Sequence, residues 1–330
     1  MSKFIGKGSY GQVSSKNGFA VKKFNNIKHL IQEYAALRYC QYSSSFVKVY
    51  DVNYDTLEFR MKLYDCNLRE WIDEGKHTME EKLNLLRDIL RALVDLHDRN
   101  LAHGDVTPKN IMIQKHPLRA ILGDFGFVSI AKYTKVEKTA PSYREKRTHR
   151  HPCHDIYSFA IIATEMLLGT RLGESNGYTE MSRAIESIKN RKYANALMLM
   201  ITPNYKIRIT SAQALETLYE EKRRSWKWPS YTINSEILEI RKTITDISTA
   251  YSIPRSKQTY IALINHLSKS RGKNNIKLYA YSAMLITSSI FGSSNYTVDD
   301  IKRICGKGNV NDILTELTTN DTYLSILLSP

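Results

Sequence analysis

Read for its apolar and polar positions, the chain begins in strands and ends in helices. Apolar residues in Phe4–Val13 and in Gly18-Phe19-Ala20-Val21-Lys22 flank a Lys16-Asn17-Gly18 turn, which predicts strand, turn, strand. From Ile27 to Tyr39 the pattern is that of an amphipathic helix, with Glu33 on the face it shares with Leu30 and Leu37. Two more strands, Phe46–Val52 and Leu57–Tyr64, surround an Asn53-Tyr54-Asp55 turn. Residues 1–64 therefore form a sheet-rich region with one helix.

Helical periodicity then takes over. Asn67–Glu74 and Thr78–Asp98 are helices; in the second, Leu83, Leu86, Ile89, Leu90, Leu93, Val94 and Leu96 recur near the helical period, and Thr78 with Glu81 forms a capping box. That helix leads to His103-Gly104-Asp105-Val106-Thr107-Pro108-Lys109-Asn110. Two short apolar runs, Ile111-Met112-Ile113 and Ala120-Ile121-Leu122, follow as a hairpin-like segment and end at Asp124-Phe125-Gly126. Two carboxylates and an amide at the ends of strands suit a catalytic loop and a metal-binding turn. Ile161–Leu168, ending at Gly169, is apolar nearly all round and predicts a buried central helix. From Ser235 onward the pattern is of successive helices separated by Pro254, Gly272, Gly292 and Gly306.

Composition narrows the class. At 330 residues and 42% hydrophobic the chain buries a large core. Its net charge of +15 attracts phosphates and acidic surfaces without naming a partner, and no basic tract is long enough for a nucleic-acid arm. Nucleic acid is not expected as the primary ligand. Cys40, Cys66, Cys153 and Cys305 form no CxxC pair, which predicts neither a disulfide framework nor a zinc ribbon. No apolar run reaches the roughly 18 residues a membrane-spanning helix needs, and the glycine-rich segment starts too early to leave room for a leader. A reducing, intracellular location, cytoplasmic or nuclear, is the expectation. Abundant Lys, Ile, Asn and Tyr suit an AT-rich genome such as that of a large DNA virus or a protist.

Gly6-Lys7-Gly8-Ser9-Tyr10-Gly11-Gln12-Val13 has the spacing GxGxxGxV, in which missing Cβ atoms let backbone N–H groups approach phosphates. It starts the chain and is followed by a strand, unlike a dinucleotide-binding fingerprint, which opens a helix. With Ala20-Val21-Lys22, the helix-borne Glu33, His103-x-Asp105, Asn110 and Asp124-Phe125-Gly126, six motifs stand in one order. In this the chain resembles a eukaryotic-type protein kinase, cyclin-dependent-kinase-like, over roughly residues 1 to 225. The resemblance implies an α+β, bilobal kinase fold: a small antiparallel β lobe (1–64) and a helical lobe (65–225). It implies ATP and Mg²⁺ as cofactors and a protein as substrate. Gly6, Gly8 and Gly11 would cover the phosphates, and Lys22, held by Glu33, would contact two of them. Asp124 and Asn110 would bind metal, and Asp105 would orient the substrate hydroxyl. Ile5, Val13, Ala20, Met61 and Met112 would line the adenine slot, with hinge hydrogen bonds from Lys62 and Tyr64. Asp155 would brace the catalytic loop, and Arg208 would pair with Glu145.

The chain also departs from the family. Gly104 stands where arginine is usual, so the cationic pocket for a phosphorylated activation loop is missing. Thr107 replaces the lysine two residues after the catalytic aspartate, with Lys109 nearby; Ala-Pro-Glu is scrambled within Thr139–Glu145; the Lys22-to-Glu33 loop is short. His149, His151, Cys153 and His154 cluster, but read as a basic, exposed segment beside the substrate groove rather than a zinc site.

After a linker at 226–234, residues 235–330 resemble a cyclin box: Gln258–Leu267, the small-residue segment Leu278–Ser288, Tyr296–Ile301 with a Thr-Val-x-Asp opening, and Asp312–Leu317. Ser289 stands at the position of the cyclins' partner-contacting lysine and Glu316 at that of their glutamate. The resemblance implies a Ser/Thr protein kinase with an intramolecular cyclin-like domain packed on the Glu33 helix. The alternatives are a pseudokinase scaffold that recruits a partner through the helical domain, and a small-molecule phosphotransferase, which shares His-Gly-Asp.

Overall fold

The computed structural model describes residues 3–8, 10–130, 151–172, 177–222, 244, 247–251, 253, 256–268, 276–291, 296–305 and 309–328. Thr139–Glu145, His149 and the linker at 226–234 lie outside them. By contact density the chain divides into two units: Met1–Tyr42 with Lys48–Leu63 and Lys227–Pro330, and Ser43–Val47 with Tyr64–Trp226.

In the first unit the predicted strands pair as one antiparallel sheet in the order β1-β2-β3-β5-β4, with β1 Lys3–Lys7, β2 Gly11–Lys16, β3 Phe19–Phe24, β4 Val49–Asn53 and β5 Glu58–Lys62. The β2–β3 turn has Asn17 and Gly18 both at positive φ, a conformation that these two residue types tolerate best. In the β4–β5 turn the Asn53 side chain accepts from the backbone N–H of Asp55 and of Thr56, each at 2.9 Å. Helix α1, Ile27–Cys40, starts where the Asn26 side chain accepts from the Lys28 N–H at 2.8 Å.

Among the described residues this unit also holds helical residues at 247–251 and the helices α8 Ser256–Ser268, α9 Ile276–Phe291, α10 Val298–Cys305, α11 Val310–Thr318 and α12 Asp321–Leu327. Helix α9 is central among them, buried along most of its length and rich in small residues; Ala280, Ser282 and Ala283 are fully covered. Its Thr287 hydroxyl meets that of Thr259 on α8 at 2.7 Å. Thr297 opens α10, its hydroxyl accepting from the Asp300 N–H at 3.3 Å while Asp300 Oδ2 accepts from the Thr297 N–H at 2.9 Å. Helix α1 packs against α9, α11 and α12.

The second unit carries β6 Cys66–Asn67, α2 Leu68–Asp73, α3 Met79–Asp98, β7 Leu101–Ala102, β8 Ile111–Lys115, β9 Leu118–Leu122, β10 Ser129–Ile130, α4 Pro152–Leu168, α5 Tyr178–Glu186, α6 Arg191–Met200 and α7 Ser211–Tyr219. Capping boxes open α2 (Asn67 with Glu70), α3 (Thr78 with Glu81) and α7 (Thr210 with Gln213). Helix α4 is buried from Ser158 to Met166 and stops at Gly169, where φ of +69° suits glycine. A buried ion pair joins α2 to α4: Arg69 Nη2 reaches Glu165 Oε2 at 2.7 Å.

One strand is shorter than its apolar run predicts. Phe46 and Val47 leave the first sheet: Val47 N–H donates to the Leu122 carbonyl at 3.0 Å and Leu122 N–H to that of Ser45 at 2.9 Å. Both side chains are buried in that setting, so apolarity alone could not say which sheet they join. Among the described residues no helix is long and apolar enough to cross a membrane.

Candidate active site

One group of candidate residues, in the first unit, is built on strands β1 to β3. Lys7 pairs with Gln12, and Gly8 N–H closes the turn on the Gly11 carbonyl at 2.9 Å, so the glycines form a tight hairpin. Gly11 is required sterically: a Cβ there would lie 2.1 Å from the Lys23 carbonyl oxygen. Lys22, opposite Val13 and beside Ala20, points from β3 to the Glu33 carboxylate, with Nζ 2.7 Å from each oxygen. Both residues are almost fully covered, at 4% and 1% exposure. Such a pair is costly to desolvate, and removing one partner is strongly destabilising. Ala20 is buried, Val13, Met61 and Lys62 are half-buried, and Ile5 is exposed.

A second group, in the second unit, sits in the loop between β7 and β8. Asn110 Nδ2 donates to the Asp105 carbonyl at 2.9 Å and to Asp105 Oδ2 at 3.0 Å, which fixes both side chains. His103, wholly buried, accepts the Asp105 N–H at Nδ1, 3.2 Å away, and through Nε2–H donates to the Gly123 carbonyl at 2.9 Å. The imidazole thus holds the start of the loop to the residue before Asp124. Asp124 itself has φ of +54°, in the left-handed region that non-glycine residues seldom enter, and opens the short 3₁₀ turn Phe125–Phe127. Phe125 is buried with its ring edge-on to both His103 and Phe46. Met112 and Tyr64 are half-buried.

Asp155 braces this loop from α4. Oδ2 accepts the His103 N–H at 2.7 Å and Oδ1 the Gly104 N–H at 2.9 Å. Burial alone would raise its pKa, but the hydrogen bond from His97, the electrostatic attraction of the His97 and His103 rings and the Gly104 N–H outweigh it, so the carboxyl stays below its ordinary value. Gly104, where the family's arginine would stand, has φ of +74°, a conformation that favours glycine.

The reading of the histidine cluster as exposed needs correction. His151 caps α4, Nδ1 accepting the Cys153 N–H at 3.2 Å, its ring lies against His154 and Tyr205, and Cys153 is buried. These residues are packing and capping groups because they open an almost entirely buried helix. The Glu145 partner expected for Arg208 lies outside the described residues; Arg208 donates to the Thr202 carbonyl at 2.8 Å and to that of Cys153 at 2.8 Å.

Sequence reading missed His97. Its Nε2–H donates to Asp155 at 3.0 Å and its Nδ1 accepts from the Ser211 hydroxyl at 2.9 Å. The signal was there: His97 continues the apolar stripe Leu86, Leu90, Leu93 of α3, where a polar residue must find partners inside. Val47 was also missed. Its side chain lies 2.7 Å from where a Gly123 Cβ would be, so the residue before Asp124 has no room for a side chain.

The donor chemistry fits a hard dication. Asp124 offers carboxylate oxygens, and Asn110, with Nδ2 turned to Asp105, offers Oδ1; Mg²⁺ is commonly held by one or two such protein oxygens together with phosphates and water.

The protein kinase domain matches residues 1–222. Calcium-dependent protein kinase 5 of Plasmodium berghei (strain Anka) is 29% identical over 144 residues, 38% of this chain and 25% of that protein. The membrane-associated tyrosine- and threonine-specific cdc2-inhibitory kinase of Drosophila melanogaster is 30% identical over 141 residues, 38% of this chain and 26% of that protein. Cyclin-dependent kinase F-4 of Oryza sativa subsp. japonica is 28% identical over 190 residues, 51% of this chain and 41% of that protein. The matches span from a quarter to two-fifths of these relatives. With the domain covering well over half of its residues, the chain belongs to the eukaryotic-type protein kinases.

Proposed function

We propose that the chain is an ATP-dependent protein kinase that phosphorylates Ser or Thr of protein substrates, kept active in cis by a cyclin-like C-terminal domain. The observation that carries the reading is the buried Lys22–Glu33 pair in a chain that also holds Asp105 with Asn110 and sets Asp124 in a left-handed turn. Lys22, Asp105, Asn110 and Asp124, the groups this reading uses to position phosphates and metal, are all present, with Thr107 in place of the usual lysine.

In this reading the backbone of Gly6, Gly8 and Gly11 covers the phosphates, and Lys22, oriented by Glu33, presents its ammonium to the α- and β-phosphates. Ile5, Val13, Ala20, Met61 and Met112 enclose the base, and the backbone of Lys62 and Tyr64 bonds its edge. Asp105 accepts the hydrogen bond of the substrate hydroxyl, orients that oxygen for in-line attack and receives its proton. Mg²⁺, held by Asp124 and Asn110, would supply charge neutralisation at the transferring phosphoryl group. Rate comes from this positioning and electrostatics, since a loose transition state needs little covalent help.

Gly104 removes the cation that would read a phosphorylated activation loop, so control passes to the Glu33 helix. The contacts of α1 with α9, α11 and α12 support an activator fused in cis. No two of the four cysteines are bonded to each other, which suits cytoplasmic or nuclear action.

The test is transfer from labelled ATP with Mg²⁺ to generic protein substrates, with Asp124→Ala as control and phosphoamino-acid analysis of the product. Label on Ser or Thr that disappears in the control supports the reading. Label on a small molecule alone, or nucleotide binding without transfer, overturns it.

A further inference from the structure

We infer that Arg38 is a positioning residue for this site, acting with Asp321 and Tyr42 to set the register of the Glu33 helix. The inference rests on the proposed kinase activated in cis and names the contact through which the C-terminal helices would act.

Helix α1 makes two charged contacts with different directions. Glu33 is buried against Lys22. Arg38 follows five positions later, so at about 100° per residue it projects roughly 140° around the helix from Glu33. There its Nη2 donates to Asp321 Oδ1 at 2.8 Å and to the Thr319 carbonyl at 3.1 Å, with the side chain only 13% exposed. The second oxygen of Asp321 accepts from the Tyr42 hydroxyl at 2.5 Å, so residues 38 and 42 grip both carboxylate oxygens. Asp321 is also the first residue of α12, where a negative charge suits the N-terminus.

The same turn is held from the sheet. In the β4–β5 connection the buried Tyr54 hydroxyl meets Thr318 Oγ1 at 2.7 Å, and Asp55 Oδ1 accepts from Asn311 Nδ2 at 2.6 Å. The α11–α12 junction is therefore bonded both to the last turn of α1 and to the sheet that carries Lys22. Apolar packing of α9 on α1 supplies adhesion, but it is non-directional and allows a helix to slide or roll. Charge-assisted hydrogen bonds fix distance and angle. Lys22 sits 2.7 Å from Glu33, so a displacement of about 1 Å is enough to spoil the pair. The phenols stay protonated as donors: the bond to Asp321 raises the Tyr42 pKa, and burial raises that of Tyr54. Glu316, at the position of the cyclins' glutamate, accepts from His266 and Tyr279 at 2.7 and 2.5 Å inside the helical domain.

The experiment uses the full chain with Arg38→Ala, Arg38→Lys, and Arg38→Asp combined with Asp321→Arg. It reads kcat and KM for ATP, and deuterium uptake across residues 27–40. The expected result for Arg38→Ala is a kcat about ten- to a hundredfold lower with KM within about threefold, because misplacement by 1 Å can cost that much. Uptake in 27–40 should rise while strands β1 to β3 stay protected. Arg38 reaches its partners through one nitrogen, so Arg38→Lys should recover most of the rate, and the exchanged pair part of it. Wild-type kcat in Arg38→Ala, or a lower kcat without faster exchange in 27–40, overturns the inference. If the unaltered chain shows no Asp124-dependent transfer, the kinase reading fails, and uptake in 27–40 alone decides whether Arg38 holds the helix.

Discussion

Two ion pairs on one helix differ in what they need from the chain. Lys22–Glu33 joins residues 11 apart and is shut away, with side chains 5% and 2% exposed. Arg38–Asp321 joins residues 283 apart and stays in touch with solvent, at 13% and 32%. The first places charge where chemistry needs it; the second gives the helix bearing that charge a fixed place. A buried pair punishes the loss of either partner, whereas a half-exposed one is useful mainly through geometry. Under the proposed function, the charge used for catalysis and the charge used for control are separated by about a turn and a half of helix.

Breaking the buried pair should have the largest effect. Glu33→Gln removes the carboxylate 2.7 Å from the covered Lys22 ammonium, and should cost about 3–5 kcal/mol in urea unfolding while lowering phosphoryl transfer more than about a hundredfold. Gly11→Ala should come next. Its Cβ would meet the Lys23 carbonyl at 2.1 Å, forcing the hairpin open at a cost of about 1–3 kcal/mol, visible as a lower midpoint of unfolding and weaker nucleotide binding.

A third change tests the brace on the loop that carries Asp105. Asp155→Asn would turn an amide toward N–H donors and should cost about 1–3 kcal/mol near neutrality. The native carboxyl has a folded pKa below its ordinary 3.8, so its contribution is complete above that value and is lost as pH falls through the folded one. The substituted protein should therefore lose less stability than the native chain on acidification below 3.8, measured by unfolding across that range. At the small end, Arg60 pairs with Asp51 at half exposure on the sheet edge, and Arg60→Gln should leave the unfolding midpoint and the rate unchanged within error.

What could be read in the sequence follows the same division. Gly6 to Asp124 is dense in short-range motifs, where spacing nearly dictates geometry: a Lys on a strand, a Glu on the next helix, an Asn five residues after an Asp. The turns and caps were legible for the same reason, as at Asn53, Thr78 and Thr297. Arg38 and Asp321 were not, because a charged residue on an amphipathic helix looks the same whether it meets water or a helix 283 residues away. Phe46 and Val47 were misplaced because a buried apolar run fits either of two sheets, and the pairing with Leu122 that decides between them is non-local. The left-handed φ of Asp124 is likewise set by tertiary packing around Phe125 and not by any local turn signal.

The most direct test of the central claim, a kinase that carries its own activator, is the specific activity of the purified full chain against its own concentration. With Mg²⁺, labelled ATP and a protein substrate, the account predicts Asp124-dependent transfer with no added protein, at a rate per molecule that does not change with dilution. A rate per molecule that collapses on dilution, or transfer that begins only when a second protein is added, would contradict it.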